Sequence, residues 1–450
     1  MRGAHVNLTM VEERSITQQR KEEQMRRNRR FLTVMTVVSA AAIGLIAAAS
    51  GTASSKHSTV SGPSGFVGKG GTTIGSGGGF GESYTAPSTT LDHTLFHARL
   101  LPTNKTARNI TLAALGRSTK TVNYTLALKC WKNNGCSTGT GGKLTVAYVE
   151  GFGENTFRQM SKMEFILQAL TYPKIGKIIY RSAHSDLNQA IADFKSMIAQ
   201  HVSAIVTYPD FGDAMIPVFQ QATKAGIPVS TYAWGYVSGP GQNYTTVVGE
   251  DTCKLGKTFA YVMNTQVKSG NIAFLGGFPG NPLSLGWQKC EQAALKSSIK
   301  VVANEPTNWD PSKVQGIVSG ILAKTPNLAG VSYEDALFMS QGGYAAYKAA
   351  GIPYQGVFTY RTDESGMGCL ADKLKDPKLK VFYYTAGNSQ IREALTADMM
   401  KLAGAKIPPT IVLPIQLQNQ ATRSMCTKGY PDTASPTSLI PLSLLHQMYP

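Results

Sequence analysis

The chain has 450 residues, 42% of them hydrophobic and only 16% charged, which excludes a wholly disordered polypeptide and a multi-span membrane protein. Lysine and arginine outnumber aspartate and glutamate by 44 to 27, a net +17, a balance that would suit nucleic acid or an anionic surface. The excess is uneven: residues 1–142 carry 17 basic against 6 acidic side chains (+11), residues 143–450 carry 27 against 21 (+6), and nucleic acid is therefore not an expected partner of the body.

Phe31 to Ala49 is an uncharged run of 19 residues that follows Arg26, Arg27, Arg29 and Arg30 and ends in Ala47-Ala48-Ala49. A basic region, an apolar stretch and small residues at the end form the layout of a secretory signal, so the chain is expected to be exported. The run is also long enough to stay as one spanning anchor. Its alanine-rich end favours cleavage. Residues 1–50 are thus an extension plus signal or anchor, and a start at Met25 would leave a basic region of the usual proportions. Residues 51–88 hold 11 Gly, 8 Ser and 5 Thr, a composition that buries little and reads as a tether. Within 89–142, short apolar pieces among Thr and Asn could add a strand or two to the body.

From Lys143 the texture changes. Leu144 to Val149 reads as a buried parallel strand bounded by glycines. A helix follows over 154–170, then a strand at 177–181 and a helix capped by Ser185 or Asp186. Strand 204–208, helix 213–225 and a strand opened by Ile227-Pro228-Val229 come next. The alternation continues with strand 245–248, helix 252–267, strand 271–275, helix 284–297, strand 299–302 and helix 311–323. It ends with strand 330–333, helix 336–350, strand 354–359, helix 364–374, strand 380–385, helix 389–403 and strand 410–415. Ala225-Gly226-Ile227-Pro228 recurs as Ala350-Gly351-Ile352-Pro353 and more loosely near Gly404, with glycine leaving a helix and proline opening an extended segment. Such alternation predicts an α/β fold of parallel sheets covered on both faces, and about ten strands predict two doubly wound lobes.

The six cysteines fit an exported chain. Cys130 and Cys136 flank Asn134-Gly135, a turn signal, and predict a local disulfide. Cys253, Cys290, Cys369 and Cys426 are too widely spread for a zinc pattern, and their pairing stays open. His93 and His97 stand four apart with no third ligand nearby, so no metal and no cofactor are expected. Gly276-Gly277-Phe278-Pro279-Gly280 lacks the residues of a phosphate loop and reads as a tight turn. Neither a nucleophile elbow nor a nucleophile–base pair is recognisable, so the chain is not expected to be an enzyme.

Gly151 to Phe157, Tyr208-Pro209-Asp210, Gly249-Glu250-Asp251, Asn308-Trp309-Asp310 and Tyr333-Glu334-Asp335-Ala336 each follow a predicted strand. In this order and spacing, over residues 143–417, the chain resembles the type I periplasmic binding proteins, specifically the sugar-binding group that includes ribose-type receptors of ABC importers. The resemblance implies three crossings between lobes. One lobe would comprise 143–248 plus 386–410, the other 249–385 plus 411–430, with 431–450 as a tail. It also implies a hinged cleft between the carboxyl ends of two sets of strands.

The rims that would form this cleft carry Glu150, Glu154, Asn155, Phe157, Tyr208, Asp210 and Trp234 from one lobe. The other offers Glu250, Asp251, Trp287, Trp309, Glu334, Asp335, Arg361 and Asp363. Polar groups would replace the water lost by each hydroxyl, and rings would cover C–H faces. Blander readings stand beside these. Trp234 and Trp309 could pack at strand ends, Trp287 suits a lobe core, Glu154 suits a helix cap, and Glu334 with Asp335 suit a hinge or cap. The ribose-type pattern places an Asp-Arg pair after strand four, where this chain has Ala233-Trp234, and an arginine where it has Ser284-Leu285-Gly286-Trp287. Sugar specificity therefore does not carry over, and the acidic rims admit an amine-bearing ligand.

The expected function is that of a monomeric receptor that binds a small polar solute, a sugar or a related molecule, and hands it to an ABC permease. The rivals are a ligand-sensing ectodomain, an exported enzyme with an unrecognised site, and a repressor, which would need a DNA-reading helix-turn-helix where the signal sits. Mass spectrometry of the protein from its own host should find no peptide from before Met25; one such peptide refutes that start.

Overall fold

Runs such as Leu144–Glu150 and Ala204–Tyr208 have buried side chains on both faces, which only a sheet covered on both sides can satisfy. The computed structural model describes residues 66–67, 73–74 and 101–449, apart from 154, 234–236, 362, 385–387, 414–416, 422–423, 427–428 and 436–437. The apolar run 31–49, His93, His97, Glu154 and Trp234 lie outside the described residues.

In chain order, β1 (Phe66–Val67) and β2 (Thr73–Ile74) precede α1 (Lys105–Ser118), α2 (Tyr124–Lys132) and β3 (Gly135–Ser137). Then come β4 (Leu144–Glu150), α3 (Thr156–Leu170), β5 (Ile175–Ser182), α4 (Leu187–Ala199), β6 (Ala204–Tyr208), α5 (Ile216–Lys224), β7 (Val229–Tyr232) and β8 (Thr246–Gly249). The chain continues through α6 (Thr252–Val262), β9 (Gly270–Gly276), α7 (Pro282–Ala294), β10 (Ile299–Pro306), α8 (Pro311–Lys324), β11 (Leu328–Tyr333), α9 (Ala336–Phe338) and α10 (Tyr344–Ala349). It closes with β12 (Gly356–Arg361), α11 (Gly366–Leu374), β13 (Leu379–Tyr384), α12 (Gln390–Leu402), β14 (Thr410–Val412), β15 (Leu417–Asn419) and α13 (Leu442–Met448).

Two sheets result. One has the order β14-β8-β7-β6-β4-β5-β3, the other β10-β9-β11-β12-β13-β15-β1-β2. Both are parallel through their centres and turn antiparallel at β3, β15 and β2. From β3 onward the chain passes from one sheet to the other after β8, after β13 and after β14. Helix α12 returns to pack on α3, β6, β7 and β8 of the first lobe.

The repeated Ala-Gly-Ile-Pro segments act as helix stops. Gly226, Gly351 and Gly404 have φ of 77°, 65° and 88°. Each donates its N–H to the carbonyl three residues back, and the next residue reaches five back, the Schellman arrangement that glycine permits without strain.

Residues 105–118 and 124–132 are helical, where the apolar pieces could have added a strand or two. Asn104 and Asn123 cap α1 and α2 by accepting from the backbone N–H of Ala107 and Leu126, and only β3 joins a sheet from this region. The helices expected at 252–267 and 336–350 are interrupted by π-helical turns at Met263–Val267 and Met339–Gly343. The disulfides are Cys130–Cys136, as expected from the turn, Cys253–Cys290 and Cys369–Cys426.

The C-terminal tail contacts both lobes. Cys426 is bonded to Cys369 of α11, and Ala434 O accepts from Ser365 N (3.0 Å) and Oγ (2.8 Å) in the second lobe. Ser438 Oγ and Leu439 N each donate to Glu164 Oε1 of α3 at 2.7 Å. The same buried carboxylate holds Arg392 of α12 through Oε2. Glu164→Ala would strand that guanidinium in the interior. Denaturant unfolding should show a loss of about 3–5 kcal/mol; a loss below 1 kcal/mol would contradict this role.

Candidate functional site

The carboxyl ends of the two sheets face each other, and the side chains there are built from strand ends and the first turns of the helices that follow. In the first lobe, Asn155 caps α3 by accepting from Arg158 N at 3.0 Å. This brings Phe157 and Arg158 to the cleft. Arg158 is buried, donates to Asp210 Oδ1 at 2.6 Å, lies 3.9 Å from Glu150 Oε2, and stacks on Tyr208 with its Cζ 3.3 Å from the ring centroid. Glu150 also accepts from Tyr180 Oη at 2.7 Å, while Gly151 N fixes Asp210 Oδ2 at 2.9 Å.

In the second lobe Arg361 is the last residue of β12, two positions beyond the end expected for that strand. Its guanidinium pairs with Glu250, at the first crossing, and with Asp363 Oδ2 at 3.2 Å. Glu334 accepts from Trp287, from Trp309 Nε1 at 2.9 Å and from Ser284 Oγ at 2.7 Å. Asp335 accepts from Phe338 N at 3.1 Å and so starts α9. Asn308 and Trp309 both have left-handed backbone (φ 56° and 49°), a strain that costs on the order of 1 kcal/mol or more at such positions and gathers at functional sites. Gly277 makes Trp309's seat possible, because a Cβ there would lie 2.4 Å from the indole. The glycine run after β9 forms a turn, as expected, and Gly277 within it also serves close packing.

The lobes meet across the cleft. Phe152 packs edge-on against Trp309 (5.5 Å between centroids) and lies 6.4 Å from Phe278. Thr156 Oγ1 donates to Glu364 at 3.2 Å, and Arg361 sits 5.9 Å from the Phe157 ring. Between them is a narrow cavity of about 20 Å³, lined by Asn155, Phe157, Arg158, Tyr208, Leu283, Trp309, Asp335, Arg361 and Asp363. That is room for one water, so a ring-sized solute enters only when the lobes part or side chains shift. Asn155 and Trp309 also border a wider pocket of about 530 Å³ at the mouth, which Thr433 of the tail helps to line.

Seven of the sequence-predicted residues therefore share the cavity wall: Asn155, Phe157, Tyr208, Trp309, Asp335, Arg361 and Asp363. Glu150, Asp210, Glu250 and Glu334 stand behind it, holding the arginines and tryptophans in place. Two sit elsewhere. Asp251 caps α6 through the N–H groups of Cys253 and Lys254, and Trp287 is fully buried between Phe259 and Phe274 in the core of its lobe. Arg158, Leu283 and Glu364 were not anticipated. Arg158 had a signal: two rim acids, Glu150 and Asp210, need a buried counter-charge, and it follows Phe157 directly.

Burial dominates the ionisation of the cleft. It pushes Asp210 and Asp363 up to about 7, the facing arginines offsetting it only in part and neighbouring carboxylates adding to it. Asp335 and Glu364 are raised well above the ordinary range by burial first, then by neighbouring carboxylates: Asp363 and Glu334 act on Asp335, and Asp335 and Asp363 act on Glu364. Glu334 is raised by burial, with its three donors working against the shift. Among the described residues no group of three or more His, Cys, Asp or Glu is arranged to hold a metal ion, and no helix is long and apolar enough to cross a membrane.

Two lobes of parallel sheet around one polar and aromatic cleft define a solute-binding receptor of the hinged type. The chain belongs to the periplasmic binding protein family: the model of its periplasmic binding protein domain matches residues 146–405. The chain is 24% identical over 248 residues to the ribose import binding protein of Bacillus subtilis (strain 168), covering 54% of this chain and 77% of that one. In fold it is similar to an ABC transporter periplasmic solute binding protein from Actinobacillus succinogenes 130z solved with D-allose (TM-score 0.54, 22% identity, 62% of this chain and 98% of that one). It is also similar to the fructose-binding periplasmic domain of a hybrid two-component system (TM-score 0.55, 20% identity, 62% and 91%).

A carboxyl group whose folded pKa lies above its unfolded value near 4 binds its proton more tightly in the native state. The stability it contributes is complete below pH 4 and lost as pH rises through 7. The melting midpoint of the ligand-free protein should therefore fall between pH 5 and pH 8, and Asp363→Asn should flatten that slope. A midpoint that rises over this interval contradicts the assignment.

Proposed function

We propose that this protein is an exported, monomeric receptor that closes its two lobes around a small polar solute of the sugar class and presents it to the permease of an ABC importer. It performs no bond-making or bond-breaking step. The observation that carries this reading is the narrow cavity between the two rims, lined by aromatic faces and by guanidinium and carboxylate groups. Rings suit the C–H faces of a sugar, and the charged pairs suit its hydroxyls. The kinship with a ribose import protein supports the sugar class.

A second reading, a sensing ectodomain, is favoured by the likeness to a sugar-binding domain of a two-component system and by the apolar run Phe31–Ala49 if it stays uncut. A permease and an ATPase encoded beside this gene would decide for import.

The direct test is a thermal-shift screen of sugars, polyols, amino acids and polyamines. A micromolar ligand at millimolar concentration should stabilise the fold by about 4 kcal/mol. Silence across the whole set would overturn the receptor reading.

A further inference from the structure

The cleft holds more negative charge than its arginines can balance. Arg158 is shared by Glu150 and Asp210, and Arg361 by Glu250 and Asp363, so each buried guanidinium already faces two carboxylates. Glu334, Asp335 and Glu364 are buried beside them and bring no further cation. Seven carboxylates thus stand against two guanidinium groups, an excess of five. Glu334 is accommodated by its three neutral donors. The other two are not: Asp335 receives backbone N–H groups only and Glu364 one threonine hydroxyl.

Unpartnered atoms show where a ligand would complete the site. Asp363 lines the cavity, is 8% exposed, and its Oδ1 has no hydrogen-bond partner among the described residues; Glu364 Oε2, 1% exposed as a residue, has none either. On the facing wall Arg158 Nε and one of its terminal nitrogens donate to nothing among the described residues. A buried carboxylate oxygen left unpaired is costly unless it is protonated or meets a cation. The second lobe thus offers carboxylate oxygens without a partner beside Arg361, and the first lobe offers guanidinium nitrogens without an acceptor, among the described residues. Phe157 and Trp309 add ring faces that attract a cation as well as a C–H surface.

We propose that the cleft takes a polyhydroxylated solute bearing a protonated amine, of the amino-sugar class, with its ammonium at Asp335 and Asp363 and its hydroxyl oxygens accepting from Arg158. This deepens the receptor reading and rests on it. An ammonium balances part of the carboxylate excess, whereas a neutral sugar must leave those groups holding their own protons.

Isothermal titration of the full chain at pH 7 with matched pairs tests it: D-glucosamine against D-glucose, D-galactosamine against D-galactose, and D-mannosamine against D-mannose. The amine of at least one pair should bind on the order of tenfold or more tighter than its neutral partner. The double variant Asp335→Asn/Asp363→Asn keeps side-chain shape, and should bring the affinity of the amine to within about twofold of that of its neutral partner. Three results overturn the inference. Tight binding of the neutral sugar alone does so while leaving the receptor reading intact, and so does an amine preference unchanged by the double variant. Silence of every pair overturns it, and if the wider screen is silent too the receptor reading falls with it.

Discussion

A buried guanidinium cannot remain without a counter-charge, and this chain places one in each lobe at the level where the two sheets end. Arg158 and Arg361 are each almost fully buried, and removing either set of partners would leave a charge whose burial costs several kcal/mol. That requirement fixes much of the neighbourhood. Glu150 must end β4, Asp210 must follow β6 with its other oxygen tied to Gly151, and Glu250 must stand at the first crossing. The aromatic groups are arranged around these pairs. Tyr208 lies flat beneath Arg158, and Phe157 packs between the two cations, 5.7 Å from one and 5.9 Å from the other.

Where the resemblance to ribose-type receptors implies arginines, this chain has Ala233-Trp234 and Ser284-Leu285-Gly286-Trp287. Its two arginines come from the first turn of α3 and the last residue of β12 instead. Each wall of the cleft thus carries one paired guanidinium. Trp309 is supported in an equally local way, by a strained left-handed backbone, a glycine that leaves space for the indole, and Glu334 accepting from its N–H.

Much of the fold was legible because it rests on short-range rules. Apolar runs bounded by glycine gave the strands, helical spacing gave the helices, and the Ala-Gly-Ile-Pro segments marked three helix exits that the structure realises as Schellman turns. What escaped depends on partners distant in sequence. Helix α1 has little apolar periodicity and α2 is only nine residues long, and their clearest local signals are the capping asparagines 104 and 123. The π-helical turns leave no mark in a 3.6-residue pattern. Rim position was readable from strand ends, which is why Asn155, Phe157 and Asp335 were found. Depth was not: Trp287 and Trp309 both follow strands of the second lobe, yet one enters the core and the other the cleft, a difference set by packing against Phe259, Phe274 and Phe152. The attachment of the tail to Glu164 joins residues 274 and 275 positions apart and has no sequence signature.

The distribution of contacts bears on how the cleft moves. The charged pairs lie within a lobe or at the crossing beside it: Arg158 with Glu150 and Asp210, Arg361 with Asp363 and Glu250. Parting the lobes therefore breaks none of the strongest interactions at the site. Across the cleft stand the Phe152–Trp309 ring contact, the Thr156–Glu364 hydrogen bond and the approach of Arg361 to Phe157, individually worth about 1 kcal/mol or less in net terms. A closed state held so lightly is one whose population a bound solute can shift, since the solute touches both walls and is lost from one of them on opening. The tail adds a second restraint. It is fastened to α11 by a disulfide and to α3 by Glu164, so any opening has to be absorbed by the residues between Cys426 and Ser438 or by release of Glu164. Releasing the tail forfeits the hydrogen bonds that Ser438 and Leu439 donate to Glu164 Oε1 and leaves the Arg392 pair on Oε2 in place, so the tail adds two charge-assisted bonds to the light contacts that a bound solute has to outweigh.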